Sequence, residues 1–259
     1  MTKRALAIIS FGTSYPDARH AIEVLEQSLA NSMPGYDFYR AFTSGMIIRK
    51  IEREEGIHIP NPAELMEQLQ ESGYEEVICQ SLHVIPGLEY EKMCAQIRQA
   101  AGQMTVKIGQ PMLTSQEDYI TVCQALLGKM PALAVDEAYV YMGHGTEHTV
   151  NAAYSQIENT FRFLDAERVY VGTVEGFPAL DYVQKRLRAH NIRKVWLAPF
   201  MIVAGDHAQN DLAGEEEDSW KSILTAEGYE IEIVLRGLGT IPGIGELFIS
   251  HCQDALREI

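Results

Sequence analysis

Cysteine is sparse in this chain and never closely spaced: Cys79, Cys94, Cys123 and Cys252 stand far apart, with no CxxC pair. That spacing argues against a thiolate zinc site and, in a chain of 259 residues, against a disulfide framework. Long hydrophobic runs are missing too. The longest, VWLAPFMIVAG (Val195 to Gly205), is too short for a membrane span and carries a proline. Basic side chains are outnumbered, 21 against 36 acidic, for a formal net charge of −15. Such a balance speaks against a nucleic-acid partner but leaves room for an anionic small molecule in a local basic pocket. It also concentrates divalent cations near the surface. There is no GxSxG elbow and no P-loop, so serine-hydrolase and NTPase chemistry have no support. GLGTIPGIG (Gly237 to Gly245) has the wrong spacing for a dinucleotide loop and reads as a lead into a last helix. The opening MTKRALAIISFGTS has a basic start but an apolar run of only about six residues, and reads as a first buried strand, not a signal peptide. A cytoplasmic protein is expected.

What is present is alternation. Strand-like runs (Ala5–Ser10, Tyr36–Phe42, Glu75–Leu82, Thr105–Gly109) are separated by segments of helical period, among them Ala18–Leu29 and Pro62–Gly73. The pattern then restarts with Ala138–Met142, Arg168–Val174, Arg193–Phe200 and Tyr229–Leu235, and a final helix from about Gly243 to Glu258. Strands alternating with helices imply parallel sheets covered on both faces. The restart is an internal repeat. ISFGTS (Ile9–Ser14) lines up with YMGHGTE (Tyr141–Glu147), and FTSGM (Phe42–Met46) loosely with GTVEGF (Gly172–Phe177). VICQSLHVIPGLEYEK (Val77–Lys92) lies without a gap on VWLAPFMIVAGDHAQN (Val195–Asn210), which sets His83 opposite Met201 and Glu89 opposite His207. The expected fold is α/β: two similar flavodoxin-like half-domains, residues 1–130 and 136–259, each a four-stranded parallel sheet flanked by helices, with a cleft between them.

In such sheets ligands sit beyond the C-terminal strand ends. His144 follows the first strand of the second half, Glu175 the second, and His207 lies just past the third. Each has an ordinary explanation when taken singly. A strand-end histidine is usually a hydrogen-bonded loop residue, Glu175 could face a helix start, and His207 could sit beside an N-cap Asp206. Three at equivalent strand ends point instead to a shared site for a divalent transition metal such as cobalt, nickel or iron, with open coordination positions. Gly143 and Gly145 would let the backbone turn and let a bulky flat ligand approach the His144 ring. His83 ends the third strand of the first half and faces the same expected cleft, so it and Glu89 are second-tier candidates. His148 is a candidate second-layer residue, and His20, His58, His190 and His251 read as surface positions. Arg49, Lys50 and Arg53 form one of the few basic clusters, either a solvated helix face or a clamp for substrate carboxylates.

The segments ISFGTS, RAFTSGMIIRKI, QSLHVIPGLEYEK, MGHGTEH and MIVAGDHAQND…DSWK together closely resemble the anaerobic cobalt chelatases of cobalamin biosynthesis, the sirohydrochlorin cobaltochelatases of the class II chelatase family. The resemblance runs over nearly the whole chain. It implies an enzyme that inserts cobalt(II), as substrate metal, into sirohydrochlorin with release of two protons, and no prosthetic group. It implies His144, Glu175 and His207 as metal ligands and His144 and Glu175 as catalytic groups. Ser10, Thr13, His83, Glu89 and Arg49 are the expected substrate contacts. Two alternatives stay open: a metal or tetrapyrrole carrier without turnover, and a chelatase of the same fold for iron or nickel. A homo-oligomer is compatible with the sequence, and neither nucleic acid nor a membrane is an expected partner.

Overall fold

A computed structural model describes residues 2–257. Its first sheet is built from β1 (Arg4–Ser10), β2 (Asp37–Phe42), β3 (Glu76–Ser81) and β4 (Thr105–Gly109) in the order β2-β1-β3-β4. The second uses β5 (Glu137–Gly143), β6 (Val169–Thr173), β7 (Lys194–Pro199) and β8 (Glu230–Ile233) in the order β6-β5-β7-β8. Every pairing is parallel. The strands follow from their side chains. β1, β5 and β6 are buried over almost their whole length, as strands covered on both faces must be, whereas β8 alternates exposed and half-buried residues at a sheet edge. The two sheets repeat one topology, which is the duplicated flavodoxin-like α/β fold expected from the repeat.

Helices α1 (Pro16–Ser32), α2 (Gly45–Glu55), α3 (Pro62–Glu71) and α4 (Leu88–Ala100) alternate with the first four strands. The start of α3 is written locally. Asn61 accepts the N–H groups of Ala63 and Glu64, Glu64 returns a carboxylate to the Asn61 N–H, and Pro62 follows the cap. In the second half α6 (Ala152–Phe163), α7 (Leu180–Ala189) and α8 (Trp220–Ala226) serve in the same way. Two core clusters result, one around Leu65, Met66, Val77 and Ile97, the other around Val140, Tyr170, Leu197 and Trp220.

Compactness divides the chain differently from the repeat. One unit comprises Met1–Thr114 and Ile244–Ile259, the other Ser115–Gly243. The helix that ends the first repeat, α5 (Gln116–Leu127), therefore belongs to the second unit, where the Cys123 thiol reaches the Ile157 carbonyl at 3.8 Å. The helix that ends the second, α9 (Pro242–Arg257), lies almost wholly in the first unit, where Lys107 donates to the Leu256 carbonyl at 2.7 Å. His251 travels with α9. It is buried, 3.3 Å from the Gln110 carbonyl, and so is not the surface residue its sequence context suggests. No helix among the described residues is long and apolar enough to cross a membrane.

Candidate metal centre

Strand order 2-1-3-4 reverses direction between its first and third strands, and in open α/β sheets the crevice beyond that point is where ligands bind. In the second unit the reversal falls between β5 and β7. His144 is the first residue after β5, and the ladder runs on past the strand: Val174 N–H donates to the Gly143 carbonyl at 3.0 Å and Glu175 N–H to the His144 carbonyl at 2.8 Å. This carries His144 and Glu175 side by side. Across β5, Phe200 N–H donates to the Met142 carbonyl at 2.7 Å, and the chain then loops to His207, which opens a π-helical turn, Ala208–Leu212. Single π turns inside helical segments are frequent at functional sites.

The three side chains converge. One ligand atom from each of His144, Glu175 and His207 lies within 4.8 Å of the other two. The imidazoles stand edge to face, centroids 4.6 Å apart, and His144 Nδ1 is 3.7 Å from Glu175 Oε2. Each histidine also has its Nδ1 engaged: His144 against the Gly145 carbonyl at 2.9 Å, His207 against Asp211 Oδ2 at 2.7 Å. Both acceptors fix the proton on Nδ1 and leave Nε2 as the lone-pair nitrogen for a ligand. Two imidazoles and one carboxylate, without thiolate, suit a divalent first-row metal, and three ligands leave coordination positions open. Glu175 keeps 58 % of its side-chain surface exposed and His144 44 %, so an ion there can be both delivered and withdrawn.

The glycines flanking His144 have another explanation than an approaching ligand. A Cβ on Gly143 would fall 2.2 Å from the Tyr154 ring, and one on Gly145 only 2.8 Å from the Glu175 carbonyl carbon. Gly145 also has φ +87°, which glycine alone adopts without strain. The space is filled by the protein, not kept for a ligand. Tyr154 is buried beneath the loop; burial raises its hydroxyl pKa, while backbone hydrogen bonds at Gly145 and His144 pull it back. Asn151 ties the loops together, accepting the Thr146 N–H at 2.9 Å and donating to the Phe177 carbonyl at 2.5 Å. His148 Nδ1 accepts the Val150 N–H and caps the short turn Thr149–Asn151.

The first unit holds the other candidates. Ladder register pairs Ser10 with Phe42 as Gly143 pairs with Thr173, so Phe11 and Ser44 occupy the positions of His144 and Glu175. With Glu89 in the place of His207, that sheet edge has lost both imidazoles. Ser10 and Thr13 are buried; the Ser10 hydroxyl has no hydrogen-bond partner among the described residues, and Thr13 accepts the Tyr15 N–H at 3.2 Å. Glu89 pairs loosely with Lys92 at 3.9 Å. Arg49 is exposed and without an ion pair among the described residues, whereas Lys50 lies over the Tyr15 ring and Arg53 pairs with Glu54.

His83 sits with Nδ1 2.9 Å from the Ser81 hydroxyl and Nε2 buried without a hydrogen-bond partner among the described residues. Burial lowers its pKa to about 4. Below an unfolded value of about 6.5 the unfolded chain binds the proton that the folded chain refuses, so stability falls as pH drops through that window toward 4, by up to about 3 kcal/mol. Urea unfolding at pH 7 and pH 5 should show a loss of about 2 kcal/mol from this source in the wild type. His83→Asn should lack that part of the loss; an unchanged pH slope would place the acid sensitivity elsewhere.

Asp211, Asn151 and Tyr154 escape a reading by motif. Asp211 carried one legible signal, its place four residues after a candidate ligand on a helical segment. Asn151 and Tyr154 act on backbone from a distance in sequence and carried none.

Comparison with known proteins agrees with this geometry. The chain is 42% identical over 259 residues to a sirohydrochlorin cobaltochelatase of Salmonella typhimurium, covering 98% of this chain and 97% of that one. It is 31% identical over 263 residues to the sirohydrochlorin cobaltochelatase CbiKC of Nitratidesulfovibrio vulgaris, covering 100% of this chain and 93% of the relative. Its fold resembles the solved structure of SirB from Bacillus subtilis with Fe3+ at a TM-score of 0.67 and 10% identity, over 98% of this chain and 96% of that one. Over residues 4–257 the chain matches the model of the cobalt chelatase (CbiK) family, and it belongs to that family.

Proposed function

We propose that this protein inserts cobalt(II) into sirohydrochlorin, with loss of the two pyrrole N–H protons. The observation that carries the reading is the convergence of His144, Glu175 and His207 at the strand ends of one sheet, in a chain whose relatives are named sirohydrochlorin cobaltochelatases. Here the metal is a substrate and must leave its ligands. Three partly exposed ligands suit that task better than a closed four-ligand cage would. Two neutral imidazoles hold the ion, and Glu175 offsets part of its charge. Once the ion passes to the ring, His144 Nε2 and the Glu175 carboxylate regain free lone pairs that can accept the displaced protons.

Sirohydrochlorin is a polycarboxylate, and the chain is acidic overall, so the ring needs local cations and donors. Ser10, Thr13, His83, Glu89 and Arg49 are the contacts we propose in the first unit. Arg49 is the strongest of its basic cluster, because its neighbours Lys50 and Arg53 are already engaged. The donor set does not choose cobalt over nickel or iron, since all three accept imidazole and carboxylate ligands. A carrier would use the same ligands but would not accelerate insertion. Anaerobic mixing of sirohydrochlorin with cobalt(II), followed by absorbance with and without the protein, decides between them. The expected result is catalytic acceleration at substoichiometric protein. Stoichiometric cobalt binding with no acceleration would replace the enzyme by a carrier.

A further inference from the structure

We infer that Asp211 is a positioning residue for metal capture: it orients His207 and makes it the stronger nitrogen donor of the site. The inference rests on the reading of His144, Glu175 and His207 as metal ligands. His207 and Asp211 are four residues apart across the π-helical turn, and Nδ1 and Oδ2 meet at 2.7 Å, within the range of charge-assisted hydrogen bonds. The other carboxylate of the segment is used elsewhere, Asp206 Oδ1 accepting from the Asn210 amide at 3.1 Å. The turn is itself held in place, with Gln209 N–H on the Gly205 carbonyl at 2.9 Å and Gly214 N–H on the Asn210 carbonyl at 3.0 Å. A Cβ on Gly214 would stand 2.3 Å from that same Asn210 carbonyl, so the chain can close this tightly only with glycine there.

The two histidines are thus supported unequally. His144 Nδ1 donates to a neutral carbonyl of the adjacent residue, the nearest carboxylate oxygen, of Glu175, lying 3.7 Å away. His207 Nδ1 faces an anion on the same turn. A carboxylate on the far nitrogen of a ligating imidazole fixes the ring and strengthens its lone pair, and losing such a partner lowers metal affinity about 10–100-fold. Asp211 therefore makes His207 the anchor and leaves His144 as the ligand that can be released to the reaction.

Cobalt(II) titration of the intact protein, read by its d–d absorption under anaerobic conditions without tetrapyrrole, tests this. Asp211→Ala should weaken binding about 10–100-fold and shift the d–d band, with thermal unfolding close to wild type. Asp211→Asn keeps an oxygen that can accept from Nδ1 and should fall between the two. Wild-type affinity and band in Asp211→Ala, with binding lost in His207→Ala, would overturn the role of Asp211 while leaving the metal site intact. Wild-type affinity in His207→Ala would remove the metal site itself. Equal loss in both Asp211 variants together with a lowered unfolding temperature would reduce Asp211 to a structural support of the turn and overturn the inference.

Discussion

His207→Ala and His144→Ala are expected to fail in different ways. His207→Ala removes the ligand we infer to be the anchor, so cobalt affinity should fall by more than the roughly 100-fold seen when only an outer hydrogen-bond partner is lost. Part of its turnover should return at saturating cobalt, because the residues proposed to take the pyrrole protons remain. His144→Ala removes the proposed ligand and the proposed proton acceptor together. Its rate should stay about 10²–10⁴-fold down even with metal in excess, the usual contribution of a positioned general base. The check is a kcat and KM series in cobalt for both variants, since a pure binding loss moves KM alone and a loss at the reacting protons moves kcat. Recovery of full kcat in both would make His144 a ligand only and send the search for the base to Glu175, whose carboxylate lies 3.7 Å away.

The placement of both histidines at one sheet edge was legible in the sequence. The four-strand repeat was legible because β1, β3, β5 and β7 are apolar runs closed by small or polar residues, and because Val77–Lys92 lies on Val195–Asn210 without a gap. Ladder register agrees: Glu76 pairs with Arg4 and Lys194 with Glu137, each at the start of its sheet's third strand. Strand ends are fixed by local chemistry, so residues just beyond them could be assigned to one sheet edge without coordinates. Helix membership is another matter. Helices α5 and α9 have ordinary amphipathic patterns that state which face is buried but not in which unit, and only packing reveals the exchange. His251 shows the consequence. Its neighbours in sequence include exposed Ser250 and half-buried Gln253, yet the unit it joins buries it. The same limit hid Asn151 and Tyr154, whose partners at the site are backbone groups or neighbouring loops that no side-chain motif describes.

Gly145 carries the second large effect, and it tests whether the site depends on loop geometry as much as on its ligands. Gly145→Ala meets two obstacles at once. A φ of +87° lies in the region that side chains other than glycine avoid, at a cost of about 1–3 kcal/mol. The added carbon would also lie 2.8 Å from the Glu175 carbonyl carbon and 2.9 Å from the Gly176 nitrogen. Those neighbours are backbone and cannot rotate away, so the strand-end loops must part. Overpacking of this kind costs about a further 1–3 kcal/mol, giving an expected loss of about 2–6 kcal/mol in unfolding free energy. Relief of the clash requires moving Glu175 away from His144, because the Glu175 N–H to His144 carbonyl bond at 2.8 Å is what holds the two together. Cobalt affinity should therefore drop in Gly145→Ala although every ligand is present. Gly12 offers the internal control. It holds φ +90° at the matching turn of the first unit, but a Cβ there meets the Phe42 ring at 2.5 Å and no metal ligand. Gly12→Ala should lose stability and keep cobalt affinity. If Gly145→Ala behaves like Gly12→Ala, with stability lost and cobalt binding untouched, the loop can open without parting the ligands, and turn and site are not coupled.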